Sequence, residues 1–237
     1  MAAVLSLTMT LTMVTPVFAE GETNITPAQT TEVVTPTPTP AQPPKNGLFV
    51  NEGKTYCYKN GKLVKNKYGY KVKKKYYRID KKGVATLVST AEGLAGARLD
   101  KCGGDLKKAF KWSSTKIKYW GSVGKPKKGQ NQVEYYATYG FKNGKGDCYV
   151  MAATFCMMAK VKGYKNVKMV KGTVPQANGK NGAHGWCEIK IGKTVYAYDP
   201  NFAYTYRNSG YKFTYKMLGK GFGLYKYNLK KVKRISC

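Results

Sequence analysis

Residues 144–160 read GKGDCYVMAATFCMMAK, and the architecture of the chain follows from this stretch. Gly144 and Gly146 punctuate a loop, and Asp147 is a residue type that caps helix N-termini. From Cys148 onward, YVMAATFCMMA is apolar almost all the way round a helical wheel. A surface helix keeps a polar face, and this one has none, so the run predicts a helix buried in the core. Cys148 then falls in the first turn of that helix. Unpaired backbone N–H groups and the helix macrodipole favour negative charge on sulfur there. Cys156, two turns further on, lacks that setting and reads as core packing.

A nucleophilic cysteine needs a base, and the chain has one histidine, His184, within NGAHGWCEIKIGKTVYAYDPNF at 181–202. HGWCEIKI and KTVYAYD are rich in β-formers and flank Gly192-Lys193, which predicts a hairpin. A two-residue turn at Gly192-Lys193 pairs residues whose numbers sum to 385, which sets His184 against Asn201 and Trp186 against Asp199. A turn one residue earlier gives 383 and sets His184 against Asp199. In either register the imidazole lies within one pair of Asp199 or Asn201, on the same face. A carboxylate beside an imidazole orients it and stabilises its cation. In isolation, a cysteine in an apolar helix is ordinarily packing and Asp-Pro is ordinarily a turn. The three groups that a Cys–His–Asp system needs are nonetheless all present, each in a context that suits its role.

GKGDCYVMA, HGWCEI and YAYDPN, in that order over about residues 144–202, resemble the transglutaminase-like superfamily, a papain-like cysteine fold. The resemblance implies an α+β domain with the cysteine-bearing helix packed on an antiparallel sheet. It implies Cys148 as nucleophile, His184 as general base and acid, and Asp199 as the orienting carboxylate. Trp186 would shield the pair from water, and Asn201 is an alternative orienter. The oxyanion hole would combine the backbone N–H of Cys148 with an upstream donor, for which Trp120 and Tyr139 are candidates. Cys187, where the family carries an aliphatic residue, would face away from Trp186 and pack.

Composition excludes other chemistries. One histidine and no CxxC rule out the usual zinc sites, and no carboxylate-rich loop exists for calcium, so neither metal nor cofactor is expected. Six cysteines, with Cys148 kept free, leave an odd number and imply no disulfide framework.

The first 19 residues, MAAVLSLTMTLTMVTPVFA, are apolar and end with Val17 and Ala19 at the positions a signal peptidase reads. An export signal over 1–19 is expected, although no Lys or Arg precedes the apolar stretch. No transmembrane anchor is expected, because Pro16 interrupts this short stretch and no other apolar run reaches about 18 residues. Residues 20–46 are a Pro/Thr-rich linker, with six of the ten prolines between positions 27 and 44.

Residues 47–86 divide into two halves of 20, GLFVNEGKTYCYKNGKLVKN and KYGYKVKKKYYRIDKKGVAT. Alternating aromatics broken by Asn60-Gly61 or by Asp80 and Gly83 predict β-hairpins. Through GKTYCYKNGKLVKN the segment resembles the cell-wall-binding, choline-binding-like repeats of Gram-positive surface proteins. It lacks the Trp that a cage for a quaternary ammonium uses. Residues 87–237 form the remaining, catalytic domain. Within it, 89–119 reads as two helices, 166–174 as a strand, 177–182 as a mobile loop before His184, and the Tyr-rich tail from Tyr204 to Tyr227 as further strands.

The chain carries 42 basic against 12 acidic residues, a net charge of +30. All the basic residues fall after position 44, and 38 of them are Lys. A Lys coat attracts polyanions at long range without the bidentate readout that Arg supplies. The expected partners are therefore a protein or peptide substrate and cell-wall polymers or other polyanions, with no specific nucleic acid. Together these readings describe a secreted, wall-associated cysteine hydrolase or acyltransferase. The alternative is a catalytically inactive surface protein that binds wall polymers or other polyanions.

Overall fold

The computed structural model describes residues 42–176, 178–207, 209–217 and 225–237. The expected export signal and all but the end of the expected linker lie outside the described residues.

The chain first builds two small antiparallel sheets. Strands β1 (Gly47–Asn51), β2 (Lys54–Lys59) and β3 (Lys62–Leu63) form one, in that order. Asn60 and Gly61 both take positive φ, 52° and 74°, as the tight turn between β2 and β3 requires. Strands β4 (Lys67–Val72), β5 (Lys75–Ile79) and β6 (Ala85–Val88) form the other. Each 20-residue half thus folds as its own three-stranded meander. Neither half buries much alone, and they share one small core of Cys57, Tyr77, Ile79 and Ala85.

The second sheet rests directly on helix α1 (Thr90–Lys101), whose N-terminus is closed by a reciprocal Ser89–Glu92 capping box. Backbone meets backbone here. A Cβ on Gly69 would lie 2.2 Å from the Gly93 carbonyl oxygen, and one on Gly96 2.2 Å from that of Tyr68. The spacing of Gly93 and Gly96 in GLAG is what admits the strand. Residues 86 and 87 both lie within β6, so the sheet runs on into the helical part of the chain.

Helix α2 (Leu106–Lys116) follows, capped by Asp105, and then strand β7 (Lys118–Tyr119). Helix α3 (Gln132–Asn143) comes next, capped by Asn131, and then strand β8 (Lys145–Gly146), which pairs in parallel with β7. The run that decides the fold is helix α4 (Cys148–Lys162), with 12 of its 15 residues buried. Helices α1, α2 and α3 pack around it, and strands β9 (Val167–Pro175) and β10 (Asn181–Ile191) close the remaining side. With β11 (Thr194–Tyr198) and β12 (Lys233–Ser236), these strands make a four-stranded antiparallel sheet in the order β11-β10-β9-β12. Helix α5 (Pro200–Tyr206) follows β11. The described residues therefore form a mixed domain of five α-helices and antiparallel sheets.

The β10–β11 hairpin adopts the 385 register, with Ile191 opposite Thr194 and Cys187 opposite Tyr198. Its ladder ends at Tyr198 and does not extend to Asp199. Asp199 caps α5 and Pro200 is the first helical residue, a sequence signature of a helix start. The Tyr-rich tail departs from the expectation of strands. Its described residues hold the end of α5, a 3₁₀ turn at Tyr215–Met217 and one bridge from Phe213 to Ala197. Aromatic residues suit strands by propensity, but these rings pack onto the sheet face around His184 instead. In the segment expected as a loop, β10 already begins at Asn181, and Gln176 N–H bonds the Lys180 carbonyl across a turn.

Candidate active site

The Asp147 carboxylate accepts a hydrogen bond from Val150 N at 3.0 Å, which fixes the first turn of α4 and the place of Cys148 in it. That turn lies against β10 at Gly185, where a Cβ would come within 2.4 Å of the Tyr149 ring. A residue without a side chain is required for this approach. On β10, His184, Trp186 and Glu188 alternate onto one face, and Cys187 and Ile189 point into the α4 core.

His184 and Asp199 are both buried, 4 % and 0 % exposed, and His184 Nε2 lies 2.7 Å from Asp199 Oδ2. With Nε2 engaged, Nδ1 is the ring nitrogen left to face the cleft that Cys148 shares. Cys148 and His184 both line a cleft of about 690 Å³. Burial alone would press the imidazole toward its neutral form. The Asp199 charge and the hydrogen bond to Asp199 outweigh burial and raise it to about 10, so the ring is a cation at neutral pH.

Asp199 is held by more than the histidine. Its Oδ1 accepts Phe202 N at 2.9 Å and its Oδ2 accepts the Tyr227 hydroxyl at 2.6 Å. Burial, and then the Asp199 charge, keep the Tyr227 phenol well above its ordinary range, so it remains a donor. Trp186 is fully buried and stacks on His184 at 6.1 Å and 23°. Its indole N–H donates to the Tyr215 hydroxyl, which donates to Glu188 Oε1 at 2.6 Å. Arg234 closes this chain with two hydrogen bonds to the Glu188 carboxylate, at 2.7 and 3.0 Å. The indole thus excludes water from one side of the imidazole and is itself fixed from behind.

Of the residues singled out in the sequence, Cys148, His184, Asp199 and Trp186 come together. Asn201 lines the cleft, but its amide donates to Met151 Sδ at 3.7 Å and not to His184, which leaves Asp199 as the orienter. Trp120 is 68 % exposed, with the Lys145 ammonium 4.2 Å from its ring, and it is not among the residues that line the cleft. Tyr139 lines a separate depression with Thr90, Glu134 and Lys142, which removes it as an upstream donor. Cys187 packs against α4 as expected, and burial pushes its thiol and that of Cys156 upward. Tyr215 and Tyr227 went unread, because each is remote in sequence and sits in the tail that reads as strands. Asp199-Pro200 as a helix cap was the one signal available for the start of that segment.

Among the described residues, no group of three or more His, Cys, Asp or Glu is placed to hold a metal ion. No helix among them is long and apolar enough to cross a membrane.

Residues 88–200 match the family model of the transglutaminase-like superfamily core. This span contains Cys148, His184 and Asp199, and domains of the superfamily are as a rule cysteine-dependent enzymes. The two meanders before residue 88 lie almost entirely outside the match. No curated protein matches the chain at a significant level.

Proposed function

We propose that residues 87–237 form a cysteine enzyme that acts on amide or peptide bonds by acyl transfer, with Cys148 as nucleophile, His184 as acid and base, and Asp199 as orienter. The observation that supports this reading is that Cys148 and His184, remote in sequence, line one cleft while the buried Asp199 carboxylate holds the imidazole from behind at 2.7 Å. The sulfur attacks the carbonyl carbon and the oxygen takes the electron pair. As the tetrahedral species collapses, the C–N bond breaks and the His184 imidazolium gives its proton to the departing amine, leaving a thioester. The now neutral imidazole takes a proton from water, in a hydrolase, or from a lysine amine, in a cross-linking acyltransferase, as that nucleophile bonds the acyl carbon; the C–S bond then breaks and the sulfur leaves as the thiolate beside the re-formed imidazolium. Both outcomes pass through the same acyl-enzyme.

The test is intact-mass spectrometry after incubation with glutamine-containing peptides, with and without a free amine. Accumulation of an acyl adduct that maps to Cys148 and is absent from Cys148→Ala supports the reading. Turnover that survives in Cys148→Ala ends it.

Secretion and attachment to wall polymers belong to the same proposal and rest on the N-terminal sequence and the Lys coat. Binding to purified cell walls is expected to fall steeply with salt and to be indifferent to Cys148→Ala. Retention unchanged by salt would remove the polyanion part.

A further inference from the structure

Acyl transfer requires donors aimed at the oxygen that gains charge. The backbone N–H of Cys148 is one, since the first N–H groups of a helix have no partner within it. The second donor must come from another element that faces the cleft, and Tyr119 meets that condition.

Tyr119 lines the same cleft as Cys148 and His184. It stands in β7 directly opposite Gly146 of β8, two residues ahead of the nucleophile. Lys118 N–H to Gly144 O and Trp120 N–H to Gly146 O, both 2.9 Å, tie this ladder to the loop that delivers Cys148. The phenol is close enough to Cys148 for the charge there to act on it. Burial, then Cys148, then Asp147 push it above its ordinary value, so at neutral pH it is an O–H donor. The hydroxyls of Tyr215 and Tyr227 are each bonded to a carboxylate. No hydrogen bond to a described residue occupies that of Tyr119, and the residue is 49 % exposed.

We infer that the Tyr119 hydroxyl is the second oxyanion donor, completing with the Cys148 N–H a hole for the carbonyl oxygen of the substrate. This assignment rests on the acyl-transfer reading above. It makes Tyr119 a catalytic residue, one that bonds the reacting oxygen and takes no part in activating the sulfur. Those two roles separate experimentally. Addition of the thiol to a carbonyl generates the oxyanion, whereas alkylation by iodoacetamide generates none.

The experiment compares wild type, Tyr119→Phe and Trp120→Ala in the full chain. N-acetylglycinal, a small aldehyde that adds reversibly to a thiol, reports on the hole, and iodoacetamide reports on the sulfur. Tyr119→Phe is expected to weaken aldehyde binding about 10²-fold and to leave the alkylation rate of Cys148 within twofold. Trp120→Ala is expected to change neither. Aldehyde affinity within twofold of wild type in Tyr119→Phe, or an alkylation rate that falls in parallel with affinity, overturns the assignment and leaves the acyl-transfer reading in place. Failure of the underlying reading looks different: wild type itself forms no aldehyde adduct and alkylates Cys148 no faster than Cys156, and the assignment falls with it.

Discussion

Residues 184, 186 and 188 of β10 and residues 187 and 189 between and beyond them are one peptide bond apart, yet their surroundings differ in kind. The first three are held by directional bonds: His184 to Asp199 and on to Tyr227, Trp186 to Tyr215, and Glu188 to Tyr215 and Arg234. Cys187 and Ile189 are held by packing against α4. Burial of apolar surface stabilises without selecting an angle, whereas a hydrogen bond selects an angle and adds little net stability. One face of the strand therefore supplies the stability of the domain and the other supplies aim. The contrast recurs along α4, where Cys148 opens on the cleft and Cys156, two turns on, is enclosed.

The largest effect that tests this contrast is loss of the sulfur on the cleft side. Cys148→Ala is expected to remove turnover by about 10⁴-fold or more, while Cys187→Ala retains kcat in the folded protein. Equal loss in both would erase the distinction between the faces. Next is Asp199→Asn, expected to cost about 10³–10⁴-fold in kcat by leaving the imaging of the proton to an uncharged partner. Its pH profile sharpens the point. The His184 cation persists to about 10 because of Asp199, so the alkaline limb of wild-type activity is expected near that value and moves toward neutrality in the variant. The same shift carries a sign for stability. The folded value lies above the ordinary 6.5, so the contribution of His184 is complete below about pH 6.5 and is lost as pH rises toward 10. Thermal denaturation of wild type against His184→Gln across that window measures it, and a wild-type loss no greater than the variant's contradicts the ion pair.

A smaller effect is expected from Tyr227→Phe, which removes one of the donors to a buried carboxylate. A hydrogen bond to a charged group is worth about 1.5–3 kcal/mol, so kcat is expected to fall about 10- to 100-fold with KM nearly constant. The mirror experiment is Ile189→Ala on the packed face. It is expected to cost about 2–5 kcal/mol in urea unfolding and to leave kcat of the folded fraction unchanged. The smallest effect belongs to Arg234→Ala at the far end of the Trp186 chain. Arg234 is partly solvated, so a change in kcat below about fivefold is expected, read best through Trp fluorescence.

The sequence was most informative where a residue type is rare or a pattern local. A single histidine, an apolar helix opening on Asp-Cys, and a hairpin whose turn allowed only two registers placed His184 near Asp199 or Asn201, and the family resemblance added Cys148 to them. Ser89 before AEGLAGARLD, and the run GGDLKKAFKWSSTKIKYW, read as two helices, and α1 and α2 are there, with residues 118–119 of that span in β7 instead. What was not legible depends on contacts that local chemistry does not encode. Tyr227 and Tyr215 are two among 20 tyrosines, and nothing in their neighbours marks them as facing a carboxylate. The tail that carries them reads as strand because aromatic residues favour strands, and tertiary packing against His184 overrides that preference. Tyr139 and Trp120 were plausible donors by position alone. The β7–β8 ladder turns Tyr119, the neighbour of Trp120, toward the cleft instead.

The enclosure of α4 has a consequence for how the molecule fluctuates. A helix covered on every side cannot fray one turn at a time, so its amide hydrogens are expected to exchange with deuterium only through opening of the whole domain. The sulfur at its head then keeps its address through all smaller motions. Whatever adapts to an incoming chain would be the rim of the cleft, with the reacting centre standing still beneath it.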